Sequence, residues 1–114
     1  MWKTTIYANG IEVDGRLRSS IEGQVRRVLG ALEKRIGHVH VRLYGDVEGT
    51  GLHTCFIRVD GVPSGGLALG DTAPGLEAAV ARAVSRIGVA VGREAEKGRW
   101  PSSAQAAFAH SYIR

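Results

Sequence analysis

Apolar positions along the chain recur with two spacings, one typical of helices and one typical of strands. A spacing of three to four residues runs through Leu17, Ile21, Val25, Val28, Leu29, Leu32 and Ile36, and again through Leu76, Val80, Ala83, Val84, Ile87 and Val91. Because 3.6 residues make one helical turn, each set predicts an amphipathic helix with one buried stripe. Alternation of apolar and polar residues predicts strands over 2–8, 38–44 and 54–60, and a shorter strand over 66–70.

Residues with strong end preferences set the limits of the predicted helices. Asp14 is the expected N-cap of the first helix, because its carboxylate can accept hydrogen bonds from the free amides of the first turn. Gly37 is expected to end that helix, so that the helix would run straight into the second strand. Asp71 or Thr72 is expected to cap the second helix, with Pro74 in its first turn.

The predicted order of elements is β-α-β-β-β-α. A helix between the first two strands makes them a parallel pair with a right-handed crossover, whereas short loops at 45–51 and 61–65 join the later strands into an antiparallel meander. Each helix has one apolar stripe, so both should pack side by side on one face of a four-stranded mixed sheet, an α+β fold. The expected core includes Leu29, Leu32, Val41, Ile57, Val80, Val84 and Ile87.

The 114 residues predict a single domain over 1–99, followed by a C-terminal tail over 100–114. We expect no association with membranes, because no apolar run approaches the length that spans a bilayer and the first residues lack the long apolar segment of a signal peptide. Cys55 is the single cysteine, which fits a reducing compartment. The expected location is therefore the cytoplasm.

Charge is distributed unevenly along the chain. The net charge is +4, and residues 16–36 and 76–99 carry +4 and +2, while residues 44–71 carry −3. The predicted helices are therefore basic and the segment between them is acidic, an asymmetry that favours a polyanionic partner. The alternative is that these arginines and lysines only keep the helix faces solvated.

Three segments resemble the ribosome hibernation promoting factor family, which includes ribosome-associated inhibitor A. "IEVDGRLRSSIEGQVRRVLGAL" at 11–32 is similar to the family's opening strand, polar cap and long basic helix, and "IGHVHVRL" at 36–43 is similar to its second strand. "DTAPGLEAAVARAVSRI" at 71–87 resembles its second helix, although Glu77 stands where the family usually has an aromatic residue. "HTCFIRV" at 53–59 resembles a bacterial subgroup described only as ribosome-associated.

This resemblance implies binding to the small ribosomal subunit, where short members of the family occupy the mRNA and tRNA path and silence idle ribosomes. It also implies the β-α-β-β-β-α fold. We expect phosphates of rRNA to contact basic residues of both helices: Arg26, Arg27, Lys34 and Arg35 in the first, and Arg82, Arg86, Arg93 and Lys97 in the second. Arginine suits this role because its planar fork pairs with two phosphate oxygens, without reading sequence.

Enzyme chemistry has little support in the sequence. No nucleophile elbow or phosphate-binding P-loop is present, so we expect no catalytic activity, no cofactor and no small-molecule substrate. His38, His40, His53 and Cys55 are metal-ligand types close in sequence. Strand parity places the first two on the open face of the sheet and the last two on the core side, so we expect no metal site.

The open face of the predicted sheet is a second candidate surface. Parity places Tyr7, His38, His40, Arg42, Tyr44, Phe56 and Arg58 on this face. Aromatic and arginine side chains on a sheet can stack RNA bases. The same residue types are enriched in protein interfaces, so a homodimeric interaction module joined through this face is the alternative function. An ordinary solvated face is the third interpretation.

Overall fold

The computed structural model describes residues 2–61 and 65–100. These residues form strands β1 (Lys3–Asn9), β2 (Ile36–Tyr44), β3 (Leu52–Gly61) and β4 (Gly66–Pro74), and helices α1 (Gly15–Leu29) and α2 (Leu76–Glu96). Short 3-10 turns occupy Gly30–Arg35 and Val47–Gly49. The order β-α-β-β-β-α and the α+β class are confirmed. The predicted tail beyond Trp100 and the middle of the predicted turn at 61–65 lie outside the described residues.

The four strands form one mixed sheet in the order β1-β2-β3-β4. β1 and β2 are parallel, with Ile6 opposite Val41, and the other two pairs are antiparallel, as predicted. Both helices cover the same face of the sheet, which leaves the other face open. Neither described helix combines the length and the hydrophobicity that crossing a bilayer requires.

The core lies between the sheet and the two helices. It contains Ile21, Val25 and Leu29 of α1, Val80, Val84 and Ile87 of α2, and the inward side chains Val39, Val41, Leu43, Cys55, Ile57 and Val59 of the central strands. No polar or charged side chain is buried among the described residues. Of the predicted core residues, Leu32 alone is only partly buried.

The first helix ends earlier than predicted. The α-helix stops at Leu29, and a 3-10 turn with a kink at Leu32 leads to β2, in which Gly37 is a strand residue. The prediction that Gly37 ends the helix is therefore wrong. The physical reason is the parallel pairing of β1 with β2: His38 already lies opposite Lys3, so the turn from helix to strand must be complete before it.

The second helix begins later than predicted. β4 extends to Pro74, and Gly75, at φ 103°, precedes α2 without a side-chain cap. Asp71 and Thr72 are therefore strand residues, and the predicted caps are wrong. β3 supplies a partner along the whole of β4, from Asp60 opposite Gly66 to Leu52 opposite Pro74, and this pairing outweighs the local capping preference. Pro74 is tolerated because β4 is an edge strand.

The chain reverses after α2 and returns to the core. Gly98 has φ 70°, the left-handed conformation that glycine adopts readily after a helix, and the amides of Arg99 and Trp100 both donate to the Glu94 carbonyl. Trp100 is 2% exposed and belongs to the core. The residue assigned to the start of the tail is thus packed with the domain.

Candidate nucleic-acid interface

The outer sides of α1 and α2 form a continuous layer with a groove between the helices. The groove has a volume of about 440 Å³ and is lined by Gln24, Arg27 and Val28 of α1 and by Ala81, Val84, Ser85, Gly88 and Val89 of α2. Val28 is 41% exposed, so its assignment to the buried stripe is wrong. It faces α2 instead, where a Cβ added at Gly88 would lie 3.1 Å from its own Cβ.

The basic residues of the first helical segment divide between solvent and internal contacts. Arg26 and Arg27 are exposed in the last turn of α1, and Lys34 is exposed in the 3-10 turn that follows. Arg27 lines the interhelical groove, whereas Arg26 lies about 100° further round the helix. Arg35 is half-buried and donates to the carbonyl of Trp100. Arg35 therefore ties the end of the described chain to the start of β2.

Two arginines of α2 reach the edge of the sheet. Arg82 donates to the Thr72 carbonyl at 3.2 Å, and Arg86 donates to the Gly70 carbonyl at 2.6 Å and lies 3.9 Å from the Asp71 carboxylate. Gly70 and Thr72 are alternate residues of β4, so both carbonyls point away from β3. The arginines thus cover an otherwise unpaired strand edge, which protects it from pairing with another chain.

The remaining candidates on α2 are Arg93 and Lys97, and neither makes an ion pair with a described residue. Arg93 lies seven residues after Arg86 and therefore on the same stripe of the helix, and Lys97 caps its C-terminus. Among the described residues, Arg26, Arg27, Lys34, Arg93 and Lys97 make no ion pair. The eight predicted residues therefore do not form one cluster: Arg27 lines the groove, Arg35 makes an internal contact, and Arg82 and Arg86 lie at the edge of β4.

The open sheet face carries the second predicted set in ordered cross-strand rows. Tyr7, Arg42, Phe56 and Gly70 lie opposite one another across all four strands. The neighbouring rows are Asn9, Tyr44, Thr54 and Thr72 on one side, and Thr5, His40, Arg58 and Ala68 on the other. The predicted parity of this face is confirmed.

A cavity of about 780 Å³ opens on this face. We call it the sheet cavity; its lining includes Tyr7, His40, Arg42, Tyr44, Phe56, Arg58, Ala68, Gly70 and Arg86. Of the seven residues predicted for this face, six are in the lining, and His38 is not. Sequence reasoning missed the contribution of β4, through Ala68 and Gly70, and that of Arg86. Strand parity predicts neither the position of the Phe56 ring over β4 nor the reach of a helix side chain round the edge of the sheet.

Histidines of the open face interact with each other and with neighbouring polar groups. The rings of His38 and His40 stack with centroids 3.8 Å apart, His38 Nε2 lies 2.7 Å from the Thr5 hydroxyl, and His40 Nε2 lies 3.1 Å from the Asp60 carboxylate. Desolvation, followed by repulsion from His40 and Lys3, lowers the pKa of His38. These contacts account for the histidines as part of a polar network on the sheet.

Cys55 lies on the opposite side of the sheet from His38 and His40, as parity predicts. It is fully buried, and burial raises the pKa of its thiol to about 12. Such a thiol behaves as a small apolar side chain. Among the described residues, no three His, Cys, Asp or Glu side chains converge in a way that could hold a metal ion.

The described chain is thus an α+β protein whose four-stranded sheet bears two basic helices on one face. No protein-family model and no curated protein matches its sequence significantly. Solved structures share the fold: the N-terminal domain of Thermus thermophilus Protein Y is 22% identical, with a TM-score of 0.68, over 82% of this chain and 98% of that one. A ribosomal subunit interface protein from Coxiella burnetii is 11% identical, with a TM-score of 0.71, over the same shares.

Proposed function

We propose that this protein is a cytoplasmic, ribosome-associated member of the hibernation promoting factor family. It binds the small ribosomal subunit through the rRNA backbone and acts by occupancy, without catalysis. The observation that carries the proposal is the outward layer of unpaired cations on a fold shared with a protein named for the ribosomal subunit interface. That name refers to a place on the ribosome and not to a reaction.

The helix surface that makes this contact consists of Arg26, Arg27, Lys34, Arg93 and Lys97, with Arg82 and Arg86 at its β4 edge. The first five make no ion pair with a described residue, so binding a phosphate requires no internal bond to break. Arg82 and Arg86 use one guanidinium nitrogen for β4 carbonyls, and each retains other N–H donors for phosphate. Arg35 has a structural role in this proposal, because its guanidinium donates to the Trp100 carbonyl and so holds the end of the described chain in place.

Sedimentation of cell lysate through a sucrose gradient tests the association itself. We expect the protein to migrate with small subunits at low salt and to leave them as salt rises, because phosphate contacts release counterions. A protein that stays in the top fractions at low salt would contradict the proposal. Addition of stoichiometric protein to a cell-free translation system then tests silencing, for which we expect reduced synthesis.

The role of the helix surface is tested by the double variant Arg26→Ala with Arg27→Ala. Each lost phosphate contact should flatten the slope of log affinity against log salt by somewhat less than one unit, so we expect a change of about 1.5 units. The matched control is Arg16→Ala with Arg18→Ala, which removes the same charge from the first turn of α1. Equal slopes in the double variant and wild type would mean that Arg26 and Arg27 only solvate the helix.

A further inference from the structure

The open face of the sheet offers a second binding surface, on the side of the sheet that the helices do not cover. Its central row places Tyr7, Arg42 and Phe56 side by side on β1, β2 and β3. Tyr7 is 54% exposed and Phe56 is 44% exposed, so two aromatic rings remain in contact with water. Exposed rings grouped on one face of a domain are typical of a recognition surface.

The sheet cavity exists because β4 contributes almost no side chain to this face. Gly66, Ala68 and Gly70, which carry no side chain or a small one, lie opposite Asp60, Arg58 and Phe56, and Ala68 and Gly70 line the cavity. Phe56 leans toward β4 so far that a Cβ added at Gly70 would overlap its ring. The cavity volume of about 780 Å³ is within the range of roughly 300–1,000 Å³ found for ligand sites.

Two stacking positions lie within this cavity. Phe56 packs edge-to-face with Tyr44, with ring centroids 6.1 Å apart and planes at 87°. Tyr7 carries the guanidinium of Arg42 over its ring, 5.6 Å from the centroid. Each position presents a planar π surface. Phe56 on β3 and Tyr7 on β1 lie two strands apart, roughly 10 Å, a spacing that suits two splayed bases of one strand better than one isolated base.

The charges of the face complement a phosphate backbone. Arg58 lies 2.8 Å from Asp60, and Arg86 lies 3.9 Å from Asp71. Arg42 has no carboxylate partner among the described residues and is exposed at the centre of the row. A guanidinium between two aromatic positions is placed to bind the phosphate that links two stacked bases.

The geometry points to single-stranded RNA as the occupant of the sheet cavity, held by stacking on Phe56 and Tyr7 and by a phosphate contact to Arg42. Paired bases could not use this surface, because their faces are covered within the duplex. A second copy of this chain fits less well, since a two-fold interface would bring two Arg42 side chains and their arginine neighbours together.

Fluorescence anisotropy with a labelled oligouridine of about ten nucleotides tests this assignment. Phe56→Ala should weaken binding by about 5- to 100-fold, because that is the loss expected for one stacked base. Phe56→Tyr should retain binding, since it keeps the ring. Arg42→Gln should also weaken binding, whereas Arg16→Gln, which removes one charge at the start of α1, should change affinity less.

Three outcomes would overturn the assignment. The first is that the Phe56→Ala and Tyr7→Ala variants fold normally and bind oligouridine as tightly as wild type does. If Phe56→Ala does not fold, the Tyr7→Ala variant alone decides this outcome. The second is equal affinity for free uridine monophosphate or for an RNA duplex. The third is a wild-type dimer that Phe56→Ala dissociates. None of these touches the proposed role of the helix surface, which rests on Arg26 and Arg27.

Discussion

Neighbouring residues with the same apolar character end in different environments in this protein. Val25 and Leu29 are buried under α1, while Val28, on the same predicted stripe, is 41% exposed and faces α2. The apolar stripe of a helix that packs on a sheet is wide, so some of its residues lie at the edge of the contact. Whether such a residue is buried depends on how closely the neighbouring helix packs against it. The burial of a strand residue is easier to predict, because successive side chains in a strand point to opposite faces of the sheet.

Cys55 provides a test of strand parity at a single atom. The thiol is fully buried, and its pKa is raised to about 12, so the reactive thiolate is scarce at neutral pH. We expect native protein at pH 8 to react with a thiol reagent far more slowly than protein unfolded in guanidinium, which serves as the control. Equal rates would place Cys55 on the open face and shift the register of β3 by one residue.

At the scale of elements, pairing partners outweigh local end signals. Asp14 caps α1 as predicted, accepting a hydrogen bond from the Leu17 amide at 2.8 Å, because nothing competes for this exposed turn. Asp71 has the same chemistry, yet it lies in β4 opposite Cys55. A cap is a local preference of about 1 kcal/mol, and an additional stretch of sheet exceeds it.

The register of α2 has a matched pair of valines that tests it. Val84 is 3% exposed in the core, and Val89 is 53% exposed on the same helix. Val84→Ala should lower the free energy of unfolding by about 1–3 kcal/mol, since burial is lost and the gap is filled incompletely. Val89→Ala should change it by less than about 0.5 kcal/mol. Thermal or denaturant unfolding measures both, and similar losses would indicate a rotated helix.

At the scale of the whole molecule, the end of the described chain closes the domain. Trp100 is buried beside residues of the helices and the sheet, and Arg35 donates to its carbonyl from the turn before β2. The sequence predicts a domain boundary at Arg99, because the helical spacing of apolar residues ends shortly before it. In the structure the packed residues include Trp100, because Gly98 turns the chain back.

Substitution of Trp100 in the full chain tests whether this closure matters for stability. Trp100→Ala should lower the free energy of unfolding by about 3–5 kcal/mol, the loss expected for a large aromatic side chain in a core. Trp100→Phe should lose less, because a ring still fills most of the site. Chemical unfolding followed by circular dichroism measures the difference. A wild-type midpoint for Trp100→Ala would restore the boundary at Arg99.

The spacing of apolar residues was enough to predict the element order, the α+β class, the parity of the strands and the identity of most core residues. These features follow from periodicity, which is a property of neighbouring residues along one chain. Tyr7, Arg42 and Phe56 could be assigned to one face on this basis alone. The basic character of both helices was likewise evident from the spacing of their arginines.

The ends of the elements and the contacts between side chains depend instead on packing between distant parts of the chain. The kink at Leu32 follows from the register of His38 against Lys3, the extension of β4 follows from the length of β3, and the exposure of Val28 follows from the position of α2. Arg86 reaches the sheet cavity by passing round the edge of β4, and Phe56 lies over Gly70. Each depends on contacts between residues distant in the chain, and no local period encodes such contacts.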